Sequence, residues 1–164
     1  MGRADWDDAD DEAPAGGTRE LERALQETRT VYRQADAAYA PYSCPSSGEC
    51  CQLATTKRQP WLWRNEWDVL ARGRTLPPPR ADGGCPFLDA AGKRCTVYAD
   101  RPFGCRTFFC ERIRGPARQP SEEVTRLLLR LERISQRVMP SLQGPRPLLE
   151  WYAGVQTTPA REEP

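Results

Sequence analysis

Seven cysteines and no histidine constrain this chain more than any other feature. They stand at Cys44, Cys50, Cys51, Cys85, Cys95, Cys105 and Cys110, all in the middle of the sequence and none in either flank. Thiols that merely pack have no reason to cluster in this way; thiolates gathered around a metal do. The chain has 164 residues, of which sixteen are proline and twelve glycine, and its hydrophobic content is 38%. A loop-rich middle with so modest a core needs an internal staple, either disulfides or a metal.

The compartment bears on that choice. The opening residues Met1 to Asp8 carry neither a basic n-region nor an apolar h-region. No stretch approaches the roughly 18 apolar residues of a membrane span. The expected location is therefore the cytoplasm, with no membrane association. Thiols stay reduced there, and clustered cysteines favour metal or redox chemistry over structural disulfides. The odd count also argues against a fully paired disulfide framework. Metal binding is the expectation, with disulfides or unligated thiols as alternatives. The net charge of +1 selects no partner.

Along the chain, residues 1–17 read as a disordered tail: an acidic run followed by Pro14-Ala15-Gly16-Gly17. Thr18 is the expected N-cap of a first helix whose face is Leu21, Leu25, Thr28, Tyr32, Ala35 and Tyr39, ended by Pro41. Asn65 and Gly73 bracket a short second helix as N-cap and C′ residue. Residues 85–110 read as irregular, with strand-like pieces at 87–88 and 96–98 joined by a turn at Ala90-Ala91-Gly92-Lys93. A long helix is expected from a Ser121 cap to Pro140, with the stripe Val124, Leu127, Leu128, Leu131, Ile134 and Val138. A last short element opens at Pro147, and residues 155–164 read as tail. The expected fold is mostly α with irregular loops. One domain over 18–154 holds a small cysteine-rich metal module clasped by the N- and C-terminal helices.

Thiolates are soft, anionic ligands that suit zinc and iron–sulfur clusters. A structural zinc and a cubane cluster each take four of them, so seven cysteines offer one full site with three spare, or two metals sharing a bridging sulfur. The spacing contains no paired C-x2-C motifs, which speaks against an ordinary zinc finger. Proline follows Cys44 and Cys85, fixing φ and removing a donor so that the chain turns away after the ligand. Lys93, Arg94, Arg101, Arg106 and Arg112 lie near the cysteines in sequence and are candidates to offset thiolate charge. Trp61, Trp63 and Trp67 have a reading as a nucleic-acid stacking platform. Core packing is the expected role instead, because basic and aromatic residues do not interleave in a sustained stripe. Tyr98 and Arg101 are expected to be structural.

The stretch Cys44-Pro45-Ser46-Ser47-Gly48-Glu49-Cys50-Cys51 resembles the signature C-x-x-C-G-x-C-C of the YkgJ-like cysteine-cluster family, a family of zinc- or iron-chelating domains. Downstream, Cys85-Pro86-Phe87-Leu88 and then the run from Cys95-Thr96-Val97-Tyr98 through Arg101-Pro102-Phe103-Gly104-Cys105-Arg106-Thr107-Phe108 resemble its second half. That half fixes about a dozen identities in order, and the match spans about residues 42–110. The resemblance implies a cysteine-ligated metal, zinc or iron, with a 4Fe-4S cluster among the forms it takes. It implies a core ligand set of Cys51, Cys85, Cys95 and Cys105, with Cys44 and Cys50 close by. The family's second cysteine is Ser47 here, and Cys110 is an addition to the pattern. Cys110 is the candidate to replace the missing thiolate; the alternative is a buried small hydrophobe.

Three functions follow as expectations. The first is a metal-binding protein without a catalytic constellation: the usual histidine base is absent, and Gly83-Gly84 is too short to be a nucleotide loop. The second is a cluster-dependent modifying enzyme. A related cluster in flagellin lysine methylases implies lysine methylation as its example. The third is an interaction module whose long helices grip a protein or RNA partner. An exposed apolar patch on the 124–138 helix would favour it.

Overall fold

The computed structural model describes residues 15–141 and 144–156; of the tails expected over 1–17 and 155–164, residues 1–14 and 157–164 lie outside the described residues, while 15–17 belong to the first helix and 155–156 to the last. The fold is mostly α. Six α-helices are found among the described residues: α1 Ala15–Ala38, α2 Leu53–Thr56, α3 Arg64–Ala71, α4 Phe103–Arg106, α5 Ser121–Val138 and α6 Leu148–Gln156. Single 3-10 turns lie at Glu49–Cys51 and Tyr98–Asp100. None of the described helices is long and apolar enough to cross a membrane.

The two long helices form an antiparallel pair. Arg130 Nη1 donates to Gln34 at 3.0 Å, and Arg137 reaches Glu27 at 2.8 Å and Glu20 at 3.3 Å. Between them the apolar stripe of α1 (Ala24, Leu25, Val31, Tyr32 and Ala35) meets Leu127, Leu131 and Ile134. Val124 and Val138 pack at the ends of this core. Leu128 does not: it is 42% exposed beside Leu129 at 48%, because the buried face of an 18-residue helix is narrower than the apolar run in its sequence.

Helix starts differ from the expected caps. α1 begins at Ala15, ahead of the expected cap Thr18, which lies inside the helix. α5 takes Ser121 as its first helical residue, with the Pro120 carbonyl accepting from Val124 N–H at 3.0 Å. α3 starts at Arg64, and Asn65 lies inside it, fully buried, donating to Thr28 Oγ1 at 2.7 Å. The capping work passes to Glu66, whose Oε2 accepts from Trp63 N–H at 3.0 Å. Gly73 does stand just past α3 in the left-handed region (φ 73°).

α3 joins two cores. Val69 faces the α1–α5 layer, while Trp67 and Leu70 face a second cluster of Leu53, Leu62, Phe87, Leu88, Val97, Leu148 and Tyr152. A two-stranded antiparallel ribbon, β1 Trp61–Leu62 against β2 Arg146–Pro147, brings α6 onto this second core. There Trp151 stacks on Trp67 with ring centroids 6.2 Å apart and donates to the Leu62 carbonyl at 3.0 Å. The three neighbouring tryptophans thus part company. Trp67 is buried, Trp63 is half-buried against the first core, and Trp61 is 59% exposed rather than packed. α1 holds the cysteine module through Asp36 on Arg106 and Arg29 on Asp100 while α5 packs on α1, and α3, α4 and α6 carry the module.

Glu66 is the pivot of that attachment. It is 1% exposed, and its oxygens accept from Tyr32 Oη of α1 at 3.2 Å, from Phe103 N–H of α4 at 2.8 Å and from Trp63 N–H. Burial pushes its carboxyl up to about 7, against the pull of those three donors and of the Arg106 guanidinium. Glu66→Ala is expected to cost about 3 kcal/mol or more by urea denaturation, since each buried donor left unpaired costs roughly 1–3 kcal/mol. Glu66→Gln keeps one acceptor oxygen and loses less. The raised carboxyl sets the sign of the pH dependence. Its protonation contributes stability that is full below pH 4.5 and is lost as pH rises through about 7. The deficit of Glu66→Gln relative to wild type is thus expected to shrink over that window.

Candidate metal centre

All seven cysteines are free thiols, and all seven line one open cavity of about 1180 Å³. Four separate devices bring them there. The first is a close approach. Gly48 sits at φ 73° ahead of the Glu49–Cys51 turn, and a Cβ on it would stand 2.9 Å from the Lys93 carbonyl oxygen. Only glycine lets the turn carrying Cys50 and Cys51 lie on the loop carrying Cys95. The second is a direct backbone bond from Cys85 N–H to the Cys51 carbonyl at 2.8 Å. Cys85-Pro86-Phe87-Leu88 closes as a turn through Leu88 N–H to the Cys85 carbonyl at 3.0 Å, with proline in its favoured second position.

The third device is a small hairpin. Leu88 bridges Cys95, and Thr96 N–H donates to the Phe87 carbonyl at 2.7 Å. Gly92 (φ 71°) turns it, as the 90–93 turn reading requires, but no strand forms at 96–98: the bridge falls at Cys95, and residues 96–97 turn into the 3-10 turn Tyr98–Asp100. Arg80 braces the hairpin from outside, donating to the carbonyls of Leu88 at 3.1 Å and Asp89 at 2.6 Å. The fourth is α4, which presents Cys105. Its first turn is closed by the Pro102 carbonyl accepting from Cys105 and Arg106, and is anchored by Glu66.

The cations divide by role. Arg106 is buried and turned away from sulfur. It donates to the Arg101 and Ala99 carbonyls at 2.9 and 2.5 Å, pairs with Asp36 at 2.5 Å and lies over the Tyr32 ring at 4.2 Å. It binds the cysteine loops to α1. Arg101 lies over the Tyr98 ring at 3.9 Å, and Tyr98 itself is 53% exposed rather than packed. Arg101 and Arg112 are the guanidinia whose charge reaches Cys50. Lys93, Arg94 and Arg58 stand on the cavity rim.

Five thiols perturb one another. The Cys50 thiol is drawn down to about 6, first by a hydrogen bond from Cys51 and then by Arg101 and Arg112. Its partner Cys51 is pushed up by that same bond, by burial and by the charges of Cys50, Cys85 and Cys105. Burial pushes Cys85 up to about 11, with Cys95 and Cys50 adding to it, and raises Cys95 with Cys50 adding; Cys105, exposed to the open cavity, is raised by the protein mass around it and by the charges of Cys85, Cys50 and Cys95. Cys50, Cys51, Cys85, Cys95 and Cys105 thus form one electrostatically linked set of sulfur donors, a group that suits a soft cation. Among the described residues no three cysteine or acidic side chains converge on a single point; the thiols ring the cavity. Cys44 and Cys110 complete the ring from two further segments. Sequence reasoning missed Glu66 and Asp36, which no metal-ligand spacing could reveal; a glutamate three residues after an extended Trp63 was the available signal for the first.

The family model described as "CxxCxxCC: Putative zinc- or iron-chelating domain" matches residues 43–124, half of the chain. The protein belongs to this family, which points to zinc or iron as its metal. Among curated proteins and among solved structures, none matches the chain.

In the reduced, metal-free protein, Cys50 is expected to be the thiol alkylated fastest by iodoacetamide near neutrality, with a rate that rises through pH of about 6. Cys51→Ala removes the largest cause of that lowering and should move the midpoint up. Peptide-resolved alkylation rates against pH measure both; a Cys50 that labels no faster than Cys95 contradicts the assignment.

Proposed function

We propose that this protein is a cysteine-ligated zinc or iron protein, with chelation rather than catalysis as the work of the cavity. The observation that carries the reading is the cavity wall. It gathers seven thiols, five of them mutually coupled, and offers one carboxylate, Glu49, which is tied up by Arg112. The core ligands would be Cys51, Cys85, Cys95 and Cys105, with Cys44 and Cys50 close by and Cys110 on the remaining side. A metal bound there would supply positive charge where thiolates repel, and its binding would release the protons held by Cys51, Cys85, Cys95 and Cys105. Arg101 and Arg112 would offset the excess negative charge of a four-thiolate centre. A 4Fe-4S cluster is the iron form in this reading, and a reducing compartment such as the cytoplasm keeps the thiols available.

Anaerobic purification followed by metal analysis and an absorption spectrum is the test. Stoichiometric iron with broad visible absorption gives a cluster; stoichiometric zinc without colour gives a zinc centre. Protein free of both metals overturns the reading. Serine at Cys51, Cys85, Cys95 or Cys105 is expected to abolish stoichiometric metal, and full metal in Cys85→Ser or Cys105→Ser would reject this ligand set. Affinity should fall with pH: four of these thiols are raised above their ordinary range, so protons compete with metal increasingly as pH drops.

A further inference from the structure

We propose that Cys110 is a metal ligand that replaces the thiolate missing at Ser47, and that the chain segment carrying it is fastened in place for that purpose. The inference rests on the thiolate metal centre proposed above. The family's own pattern, C-x-x-C-x-x-C-C, falls on Cys44, Ser47, Cys50 and Cys51, so this chain lacks its second thiol. A serine hydroxyl is a hard, protonated group at neutral pH and a poor ligand for zinc or iron.

The segment after α4 lies along the one that carries the gap. Ser43 and Arg114 exchange backbone hydrogen bonds at 2.8 and 3.1 Å. Arg112 pairs with Glu49, two residues beyond Ser47. The Tyr42 ring meets Phe109 edge-on at 5.5 Å, and its hydroxyl donates to the Arg118 carbonyl. Gly115 passes so close that a Cβ there would lie 2.5 Å from the Tyr42 ring and 3.0 Å from the Pro41 carbonyl oxygen. These contacts run the length of both segments, and the two cysteines directly follow fastened residues: Cys44 after Ser43, Cys110 after Phe109. Cys110 opens a turn closed by Ile113 N–H to its carbonyl at 3.0 Å.

The bland reading of Cys110 is a small packed hydrophobe. A packed cysteine sits in a core, as Cys85 does. Cys110 is in neither hydrophobic cluster; it is half-buried on the wall of the cavity that Ser47 also lines.

The test uses full-length protein purified anaerobically: wild type, Cys110→Ser, and Cys110→Ser combined with Ser47→Cys. Metal stoichiometry and retention against a competing chelator are read for each, with circular dichroism as the folding control. Cys110→Ser is expected to lose retention by at least about tenfold, the scale at which weakened support for a metal site is felt. The double variant is expected to regain it. A second measurement needs no substitution. In loaded wild-type protein Cys110 should resist iodoacetamide relative to the metal-free form, as is expected of Cys105. Full retention in Cys110→Ser, no recovery in the double variant, or equal alkylation of Cys110 with and without metal overturns the proposal while leaving the metal centre standing. Wild-type protein that holds neither zinc nor iron overturns both.

Discussion

The arrangement depends on one buried carboxylate. Glu66 accepts from α1, from the start of α3 and from the start of α4, so the rigid helical pair, the connecting helix and the Cys105 turn share one fixed point. Its neighbour Arg106 closes the same junction from the other side, taking two loop carbonyls and Asp36 while stacking on Tyr32. Two charged side chains in one small core are costly unless every polar atom finds a partner. The bonds to Tyr32, Trp63, Phe103, Arg101, Ala99 and Asp36 meet that condition. What the pair gains is position: loops without regular structure acquire a defined relation to a helix scaffold.

That definition matters because the thiols must be brought together before a cation can bind them. Each raised cysteine reports burial plus the charge of its neighbours, so without a cation these thiols keep their protons instead of facing one another as thiolates. The positioning comes from backbone features that cost little to keep: Cys85 N–H on the Cys51 carbonyl, the Leu88–Cys95 bridge, and the Gly48 approach to Lys93. The scaffold supplies the proximity and a bound cation the charge, so the two contributions are separable. Scaffold defects weaken stability whether or not metal is bound, whereas ligand defects weaken metal retention first.

Much of this was legible in the sequence, and the misses have a common cause. The long helices, the turn at Gly92, the C′ glycine at 73 and the placing of all seven cysteines around one cavity follow from periodicity, turn chemistry and clustering. The helix caps did not, because Asn65 and Glu66 could each serve, and which one points inward is decided by Thr28, Tyr32 and Phe103, residues that meet only in the folded chain. Trp61 and Tyr98 look like core residues in any linear reading, yet both stand exposed while the smaller Val97 and Leu62 take the interior positions. The β1–β2 ribbon is two residues a side, below what alternation can signal.

The non-cysteine half of the signature gains a physical meaning from this. In Arg101-Pro102-Phe103-Gly104-Cys105-Arg106, one residue bears the thiol and the others place it. Pro102 offers its carbonyl to the N–H groups of Cys105 and Arg106 without a donor of its own to satisfy. Phe103, 2% exposed, sinks into the first core and gives its N–H to Glu66. Gly104 lies against Pro60, where an added Cβ would make an ordinary contact at 3.5 Å, so the space alone does not demand glycine. Arg106 returns the chain to α1 through Asp36 and Tyr32. Here the scaffold residues, more than the cysteines, decide whether several thiols dispersed over sixty-odd residues of chain face the same space.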